Sequence, residues 1–149
     1  MLGAFSSCSR QASEDPVINV AENDAEMDAA VARAREQLPH FWQVFAHPEK
    51  GESDFSVKVR LKDANGTEHF WVNDIERTAD GKIFGVINND PQIVKSVKLN
   101  DRVPVPEEKI SDWLYMRNGK MVGNYTLRVL FKQMPPKEVE TYKALMAEP

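Results

Sequence analysis

The sequence predicts an α+β domain in which an N-terminal helix or helix pair packs on an antiparallel, partly barrel-like sheet of about five strands, followed by a C-terminal helix. Three observations predict this class. Apolar residues recur every three or four positions early in the chain, alternate with polar residues through its middle, and return to helical spacing at its end. The length of 149 residues suits one domain with a substantial core.

The first helix begins at Asp24, a favourable N-cap residue. An apolar stripe follows, made of Met27, Val31, Ala34, Leu38, Phe41 and Phe45. Pro39 must interrupt the backbone hydrogen-bond ladder, but the stripe keeps its phase across it. We therefore expect a helix ending near Leu38, a kink, and a second short helix over residues 40–46.

The apolar period changes to two at Ser53, which predicts a strand with one buried and one solvated face over residues 53–62. Turn signals at residues 63–66 and 80–81 predict two hairpins, to strands over residues 68–77 and 82–88. In the strand over residues 68–77, Trp71 and Ile75 lie opposite Phe70 and Val72. Because both faces are apolar, we expect the N-terminal helix to cover the outer one.

Further strands are predicted near Val103, over residues 110–116 and over residues 121–122, the last two joined by a turn at residues 118–119. Residues 125–131 fit both a strand and a helix. Pro136 suits the first turn of a last helix.

Composition excludes several classes of protein. The net charge of −4 and the pI near 5.4 argue against a nucleic-acid binder, which normally has a basic field. A single cysteine, Cys8, excludes a disulfide framework and a cysteine-based zinc site. No apolar run reaches the roughly 18 residues that a membrane-spanning helix needs.

The N-terminus resembles the end of a bacterial lipoprotein signal peptide. A short apolar segment leads to Ser6, Ser7 and Cys8, after which the chain becomes polar. In this interpretation Cys8 is the lipidated residue, residues 1–20 are a signal-peptide remnant and flexible tail, and residues 21–149 form the domain. The alternative is a cytosolic N-terminus with an incidental cysteine.

Several motifs together resemble the YegJ-like bacterial family, called domain of unknown function 2314. They are residues 55–63 (FSVKVRLKD), 68–75 (EHFWVNDI), 99–103 (LNDRV), 110–115 (ISDWLY) and 121–130 (MVGNYTLRVL). The resemblance covers residues 24–130. It implies a small α+β domain in bacteria, sometimes attached to a lipoprotein-type signal, and it implies no activity.

Asp112, next to Trp113, is the main candidate for catalysis. A carboxylate in a hydrophobic pocket can act as a general base, here with Tyr115 or Arg102. We favour a structural role, in which Asp112 accepts hydrogen bonds from backbone amides and Trp113 fills the core, because no nucleophile or oxyanion donor can be named beside them.

Two tryptophans and a tyrosine form the structural signature of the domain. They are Trp71, Trp113 and Tyr125. We expect both tryptophans to be mostly buried, so that they contribute to the core.

Histidine spacing indicates no metal site. His40 and His47 could share a helix face, but no carboxylate lies at ligand spacing between them, and His69 fits a partly exposed strand position. We therefore predict neither a metal nor a cofactor.

Lys58, Arg60 and Lys62 form a basic stripe near Trp71, a combination that suits phosphate or nucleic acid. Neutralisation by acids on the neighbouring strand is the simpler interpretation. The acids in question are Glu68, Asp74 and Glu76. We therefore predict no nucleic-acid partner.

The combined expectation is a non-catalytic, exported bacterial module, periplasmic or anchored to the outer membrane, that binds another protein. It contacts the membrane only through a lipid on Cys8. Two alternatives stay open: a small hydrolase or isomerase using Asp112, and a cytosolic immunity-like or stress-related interaction module.

Overall fold

The computed structural model describes residues 24–147. The helices are α1 (Asp24–Glu36), α2 (Leu38–Ala46), α3 (Tyr125–Leu130) and α4 (Pro136–Leu145), and the strands are β1 (Glu52–Asp63), β2 (Gly66–Arg77), β3 (Ile83–Ile87), β4 (Arg102–Pro104), β5 (Ile110–Arg117) and β6 (Lys120–Gly123). The predicted α+β class is confirmed. Cys8 and the proposed signal remnant lie outside the described residues.

The two N-terminal helices follow the predicted kink. Gln37 separates them while keeping helical backbone angles, φ −92° and ψ −1°. Its N–H still donates to the Arg33 carbonyl, and its carbonyl accepts from the N–H of Phe41. Pro39 lies in the first turn of α2, where a missing N–H breaks no helical hydrogen bond.

The sheet is antiparallel and has six strands in the order β4-β3-β2-β1-β5-β6. It is open, with β4 and β6 at its two edges, so it has one strand more than expected and does not close as a barrel. The long hairpin of β1 and β2 lies at its centre.

One face of the sheet is the inner face, on which α1 and α2 pack. Val57, Val59, Phe70 and Val72 on this face are fully buried. The ring of Phe41 on α2 lies 5.5 Å from the ring of Trp113, measured between centroids. Across the α1 contact, the Trp113 indole N–H donates to the Ala34 carbonyl at 2.9 Å.

Trp71 lies on the opposite, outer face, paired with Lys58 on β1. The expectation that the N-terminal helix covers this side of β2 is wrong, because the helices pack on the side of Val72. Ile75 does reach the core, because a bulge between Asn73 and Glu76 shifts the phase of β2. Trp113 is buried as expected, with 1% of its surface exposed, whereas Trp71 is only partly buried.

The C-terminal segment closes the structure around β6. Residues 125–130 form helix α3, so the helical interpretation of this ambiguous stretch is the correct one. Helix α4 begins at Pro136 as predicted. After it, Met146 forms a parallel bridge with Met121, and the N–H of Ala147 donates to the Met121 carbonyl at 2.7 Å.

Candidate functional site

Asp112 joins β5 to the start of α3. Its side chain is fully buried. Oδ1 accepts the N–H groups of Trp113 at 2.8 Å and Tyr125 at 3.1 Å. Oδ2 accepts the N–H of Thr126 at 2.8 Å and its hydroxyl at 2.6 Å. The carboxylate therefore holds backbone amides, as the structural interpretation expected, but most of them belong to α3 instead of to a strand entrance.

The net effect of this environment on the acidity of Asp112 differs from the expectation for a carboxylate held by amides. Burial raises the pKa of Asp112, although the hydrogen bonds from Thr126, the charge of Lys58 and the N–H of Trp113 act in the opposite direction. Complete desolvation of the charge outweighs the donors around it. A raised pKa here follows from burial and does not by itself indicate catalysis.

Lys58 connects the buried carboxylate to the outer face. Its Nζ donates to Oγ1 of Thr126 at 3.1 Å, and that hydroxyl donates to Asp112. The same Nζ lies 5.0 Å from the centroid of the Trp71 ring, within the range of a cation–π interaction. The ammonium group therefore has a fixed position above the sheet.

His69 and Ser111 form a second polar pair beside Lys58. Ser111 is the extra residue of a bulge in β5, because Lys58 pairs with Asp112 while Val59 pairs with Ile110. The Nδ1 of His69 lies 3.1 Å from Oγ of Ser111. Partial burial, followed by the charges of Lys58 and Arg60, lowers the pKa of His69 from its usual 6.5, which favours the neutral ring at pH 7.

A serine beside a neutral imidazole has two of the parts of a nucleophilic site, but the geometry falls short of one. Ser111 is only 5% exposed, and its hydroxyl also donates to the Lys58 carbonyl at 3.4 Å. Among residues 24–147, no carboxylate hydrogen-bonds to His69 to orient its ring as in a catalytic triad.

The three catalytic candidates from the sequence lie apart. Tyr115 is fully buried in the inner core, where its hydroxyl lies 3.3 Å from Nε2 of His40. Arg102 lies on β4 and binds Glu76 at 2.6 Å. Because three strands separate β4 from β5, Arg102 and Asp112 are about 19 Å apart across the sheet. The structure does not bring the three together.

Tyr125 and the histidines considered as metal ligands also lie apart from one another. Tyr125 packs edge-on against Trp113 in the core, with 5.5 Å between ring centroids. His40 and His69 lie near opposite faces of the sheet. In the part of the chain that the structure describes, there is no group of three or more potential metal ligands, and no helix is long and apolar enough to cross a membrane.

The basic stripe is not neutralised as expected. In the register of the hairpin, the residues opposite Lys58, Arg60 and Lys62 are Trp71, His69 and Thr67. Among residues 24–147, none of the three cations has an ion-pair partner within 4.0 Å.

The acids expected to neutralise the stripe have other positions. Glu68 accepts three backbone N–H groups of residues 92–94. Glu76 binds Arg102. Asp74 lies in the bulge of β2 with a positive φ of 46°. The neutralisation hypothesis is therefore wrong, and the outer face retains a cationic patch, defined here by Lys58, Arg60 and Lys62 together with the uncharged rings of His69 and Trp71. Within the described residues, only the charge of Lys58 is partly balanced, by buried Asp112 through Thr126.

Comparisons with known proteins find a family model and relatives from bacteria. A family profile described as "Uncharacterized protein conserved in bacteria (DUF2314)" matches residues 24–147. Uncharacterized protein YegJ of Escherichia coli (strain K12) is 36% identical over 118 residues, which cover 79% of this chain and 75% of YegJ.

A putative ankyrin repeat protein of Neisseria meningitidis serogroup B is 34% identical over 134 residues, which cover 83% of this chain. The match spans only about half, 52%, of that protein's length. No solved structure matches the chain. The family profile covers all of the described residues, and the chain therefore belongs to the DUF2314 family of bacterial proteins.

Proposed function

We propose that this chain is a non-catalytic binding module whose cationic patch binds an acidic segment of a partner protein. The observation that supports this most directly is the absence of ion pairs at Lys58, Arg60 and Lys62 within the described residues, in a chain whose net charge is −4. A local positive surface on an acidic protein selects partners of opposite charge and accelerates their association.

The chemistry around the patch suits a protein partner. Trp71 is half-buried beside the cations, and tryptophan and arginine are enriched at protein interfaces. Phe84, Val86 and Leu114 are also half-buried and extend an apolar surface along the outer face. An acidic segment with apolar side chains can therefore contact both the charges and the apolar surface.

The position of Lys58 is a further favourable feature. Because Thr126 and the Trp71 ring already hold its ammonium group, a partner carboxylate restricts fewer side-chain rotamers when it binds.

The first test is an NMR titration of the whole chain with a short glutamate-rich peptide. We expect saturable shifts at the backbone amides of Lys58, Arg60 and Lys62 and at the Trp71 indole N–H. The double variant Arg60→Glu, Lys62→Glu should weaken binding by about tenfold or more, because each substitution places like charges opposite the peptide.

The double variant Lys137→Glu, Lys143→Glu is the matched control, because it makes the same charge change at two exposed residues of α4, and it should leave the affinity unchanged. A lysine-rich peptide should not bind. Tighter binding of a single-stranded oligonucleotide than of the acidic peptide would indicate a nucleic-acid partner instead of a protein. Equal losses of affinity in the patch variant and the control variant would show that the binding is unspecific.

A second test identifies contact at the patch in cells. A photo-crosslinking side chain at Lys62 should form a protein adduct that disappears in the Arg60→Glu variant, whereas the same side chain at Lys137 should not form it. Adducts that are identical at both positions would contradict a partner-binding patch.

We also propose export and lipid anchoring at Cys8, which the sequence Ser6-Ser7-Cys8 supports. The native gene product should incorporate labelled palmitate, and Cys8→Ala should release the protein from membranes. Unchanged fractionation of that variant, together with the absence of label, would instead favour a cytosolic module.

A further inference from the structure

A concave surface lies on the inner side of the molecule, between the end of α2 and the turn that joins β2 to β3. This cleft has a volume of about 390 Å³, which is within the usual range for small-ligand sites. It is lined by Trp42, Phe45 and Ala46 of α2, which form its apolar wall, and by Arg77 and Gly81 at the end of β2 and in the turn after it. It is separate from the cationic patch, because Arg77 follows the bulge in β2 and lies over the inner face.

Arg77 is the charged group of the cleft. Its guanidinium lies 4.7 Å from the centroid of the Trp42 ring, which fixes its position above the aromatic wall. Its ion pair with Glu107 is long, at 3.9 Å, and both side chains are substantially exposed. Such a pair is weak, so an incoming anion can take the place of Glu107.

Trp42 provides the second observation. Its side chain is 94% buried, yet its Nε1 is the buried side-chain donor among residues 24–147 that has no hydrogen-bond partner. Buried polar groups without a partner are rare, and each requires an explanation. This orphan N–H belongs to a residue that lines the cleft.

We propose that the cleft binds a carboxylate attached to an aromatic or branched apolar group, either a small organic acid or the C-terminal residue of a peptide. The carboxylate accepts hydrogen bonds from the Arg77 guanidinium, for which a bidentate arrangement is the natural geometry. The apolar group covers Phe45 and Ala46, which are otherwise half-exposed and exposed.

The ends of the cleft determine the orientation of the ligand. Ala46 is the last residue of α2, where the helix dipole is negative and disfavours an anion. The carboxylate must therefore lie at Arg77, with the apolar group toward the helix end.

The test uses phenylacetate as the probe, with phenylacetamide and acetate as comparisons. The Trp42 indole N–H signal, assigned with the Trp42→Phe variant, should shift saturably with phenylacetate. The indole signals of Trp113 and Trp71 should not. The neutral amide and the acid without a ring should each bind at least about tenfold more weakly, because each lacks one half of the recognition.

Arg77→Gln should weaken phenylacetate binding by roughly ten- to a hundredfold, the loss expected for a charge-assisted pair. Arg102→Gln is the matched control, because Arg102 also lies 4.7 Å from an aromatic centroid, that of Phe84, and is also partly exposed. It should leave the affinity unchanged. Equal binding of phenylacetate and phenylacetamide, or equal losses in the two variants, would overturn the proposal.

A short peptide ending in phenylalanine distinguishes the two sources of the ligand. Tighter binding of this peptide than of phenylacetate, lost on amidation of its C-terminus, would indicate a peptide end. Similar affinities would indicate a small acid. The Arg60→Glu, Lys62→Glu variant should bind phenylacetate normally, so a failure at the cleft and a failure at the cationic patch are separate results.

Discussion

Asp112 connects strand β5 to helix α3 through a single buried carboxylate, and it is the residue on which stability should depend most visibly. Its two oxygens accept three N–H groups and one hydroxyl. An asparagine at this position can accept on one side only and would turn its NH₂ group toward backbone donors. We expect Asp112→Asn to lower the free energy of unfolding at pH 7 by about 1–3 kcal/mol.

The cost of Asp112→Asn should increase as the pH falls from 7 to 4. Burial raises the pKa of Asp112 in the folded protein, so its buried negative charge lowers the free energy of unfolding at pH 7. Protonation removes this destabilisation as the pH falls through the folded-state pKa toward the unfolded-state pKa near ~3.9. The asparagine variant has no such proton to bind, so the difference in stability between the two proteins grows. Denaturant unfolding of both proteins at the two pH values measures this difference.

Asp101→Asn is the control, since it removes a carboxylate whose hydrogen bond to the N–H of Lys98 is exposed. Its cost should stay within about 0.5 kcal/mol. A more stable Asp112→Asn protein at pH 7 would instead support the enzyme hypothesis.

The role of Asp112 could be predicted from the sequence in kind but not in detail. An acid before a buried tryptophan in a β-pattern indicates a structural carboxylate. Its partners, however, are 13 and 14 residues downstream, at the start of a helix that the sequence leaves ambiguous. The contacts of Lys58 with Thr126 and of His69 with Ser111 depend on a bulge at Ser111, and no local sequence pattern indicates this bulge.

The loop between β3 and β4 is held by acids at the end of the central hairpin. Glu68 accepts the N–H groups of Gln92, Ile93 and Val94, and Asp63 accepts those of Lys95 and Ser96. Glu68→Gln should raise the hydrogen-exchange rates of the first three amides by about tenfold, because one acceptor oxygen is lost. Asp63→Asn should act on the last two amides. Exchange that increases uniformly in both variants would show that the loop opens as one unit.

The hairpin of β5 and β6 depends on a glycine at its end. Gly123 has a φ of +89°, and a Cβ there would lie 2.6 Å from Cε3 of Trp113. Gly123→Ala should cost about 2–4 kcal/mol, from backbone strain and overlap together. Gly119→Ala, with a φ of +77° and open space around it, tests strain alone and should cost less. Equal melting temperatures for the two variants would contradict this explanation.

Elements whose apolar residues follow a single spacing could be predicted from the sequence. Elements whose apolar residues fit both a helical and a strand spacing, or change spacing at a bulge, could not. The alternation from Phe55 to Leu61 indicates β1 unambiguously, since its buried positions are those of the apolar residues. Over the six residues of α3, helical and strand spacings coincide. In β2, the bulge before Glu76 sends Ile75 to the core although Trp71 lies on the outer face, so the same pattern falsely indicated a covered outer surface.

Across the molecule, the two edges of the open sheet are protected in different ways. Strand β4 is three residues long, ends in Pro104 and presents the exposed Arg102, features that discourage pairing with another chain. Strand β6 is covered instead by the last turn of α4 and the segment after it, through a hydrogen bond from Lys120 Nζ to the Ala144 carbonyl at 2.7 Å and through the Met121–Met146 bridge. Because helix α4 has no buried residue, it contributes little to the core. Its position beside β6 indicates that its role is to cover this edge.

Removing residues 136–149 should leave the sheet folded but expose the edge of β6. We expect the truncated chain to keep its strand content by circular dichroism. It should lose the burial of Met146, worth about 1.5–3 kcal/mol, together with the packing of Ala147 on the core and of Tyr142 on Phe131. Its apparent mass in light scattering should rise with concentration above that of the full chain, because unpaired N–H and C=O groups on an edge pair with a second copy. Removing residues 148–149 alone keeps the bridge and should change neither property. A truncated chain with the same apparent mass as the full chain at every concentration would show that β6 needs no cover, and that α4 has a role other than protecting the edge.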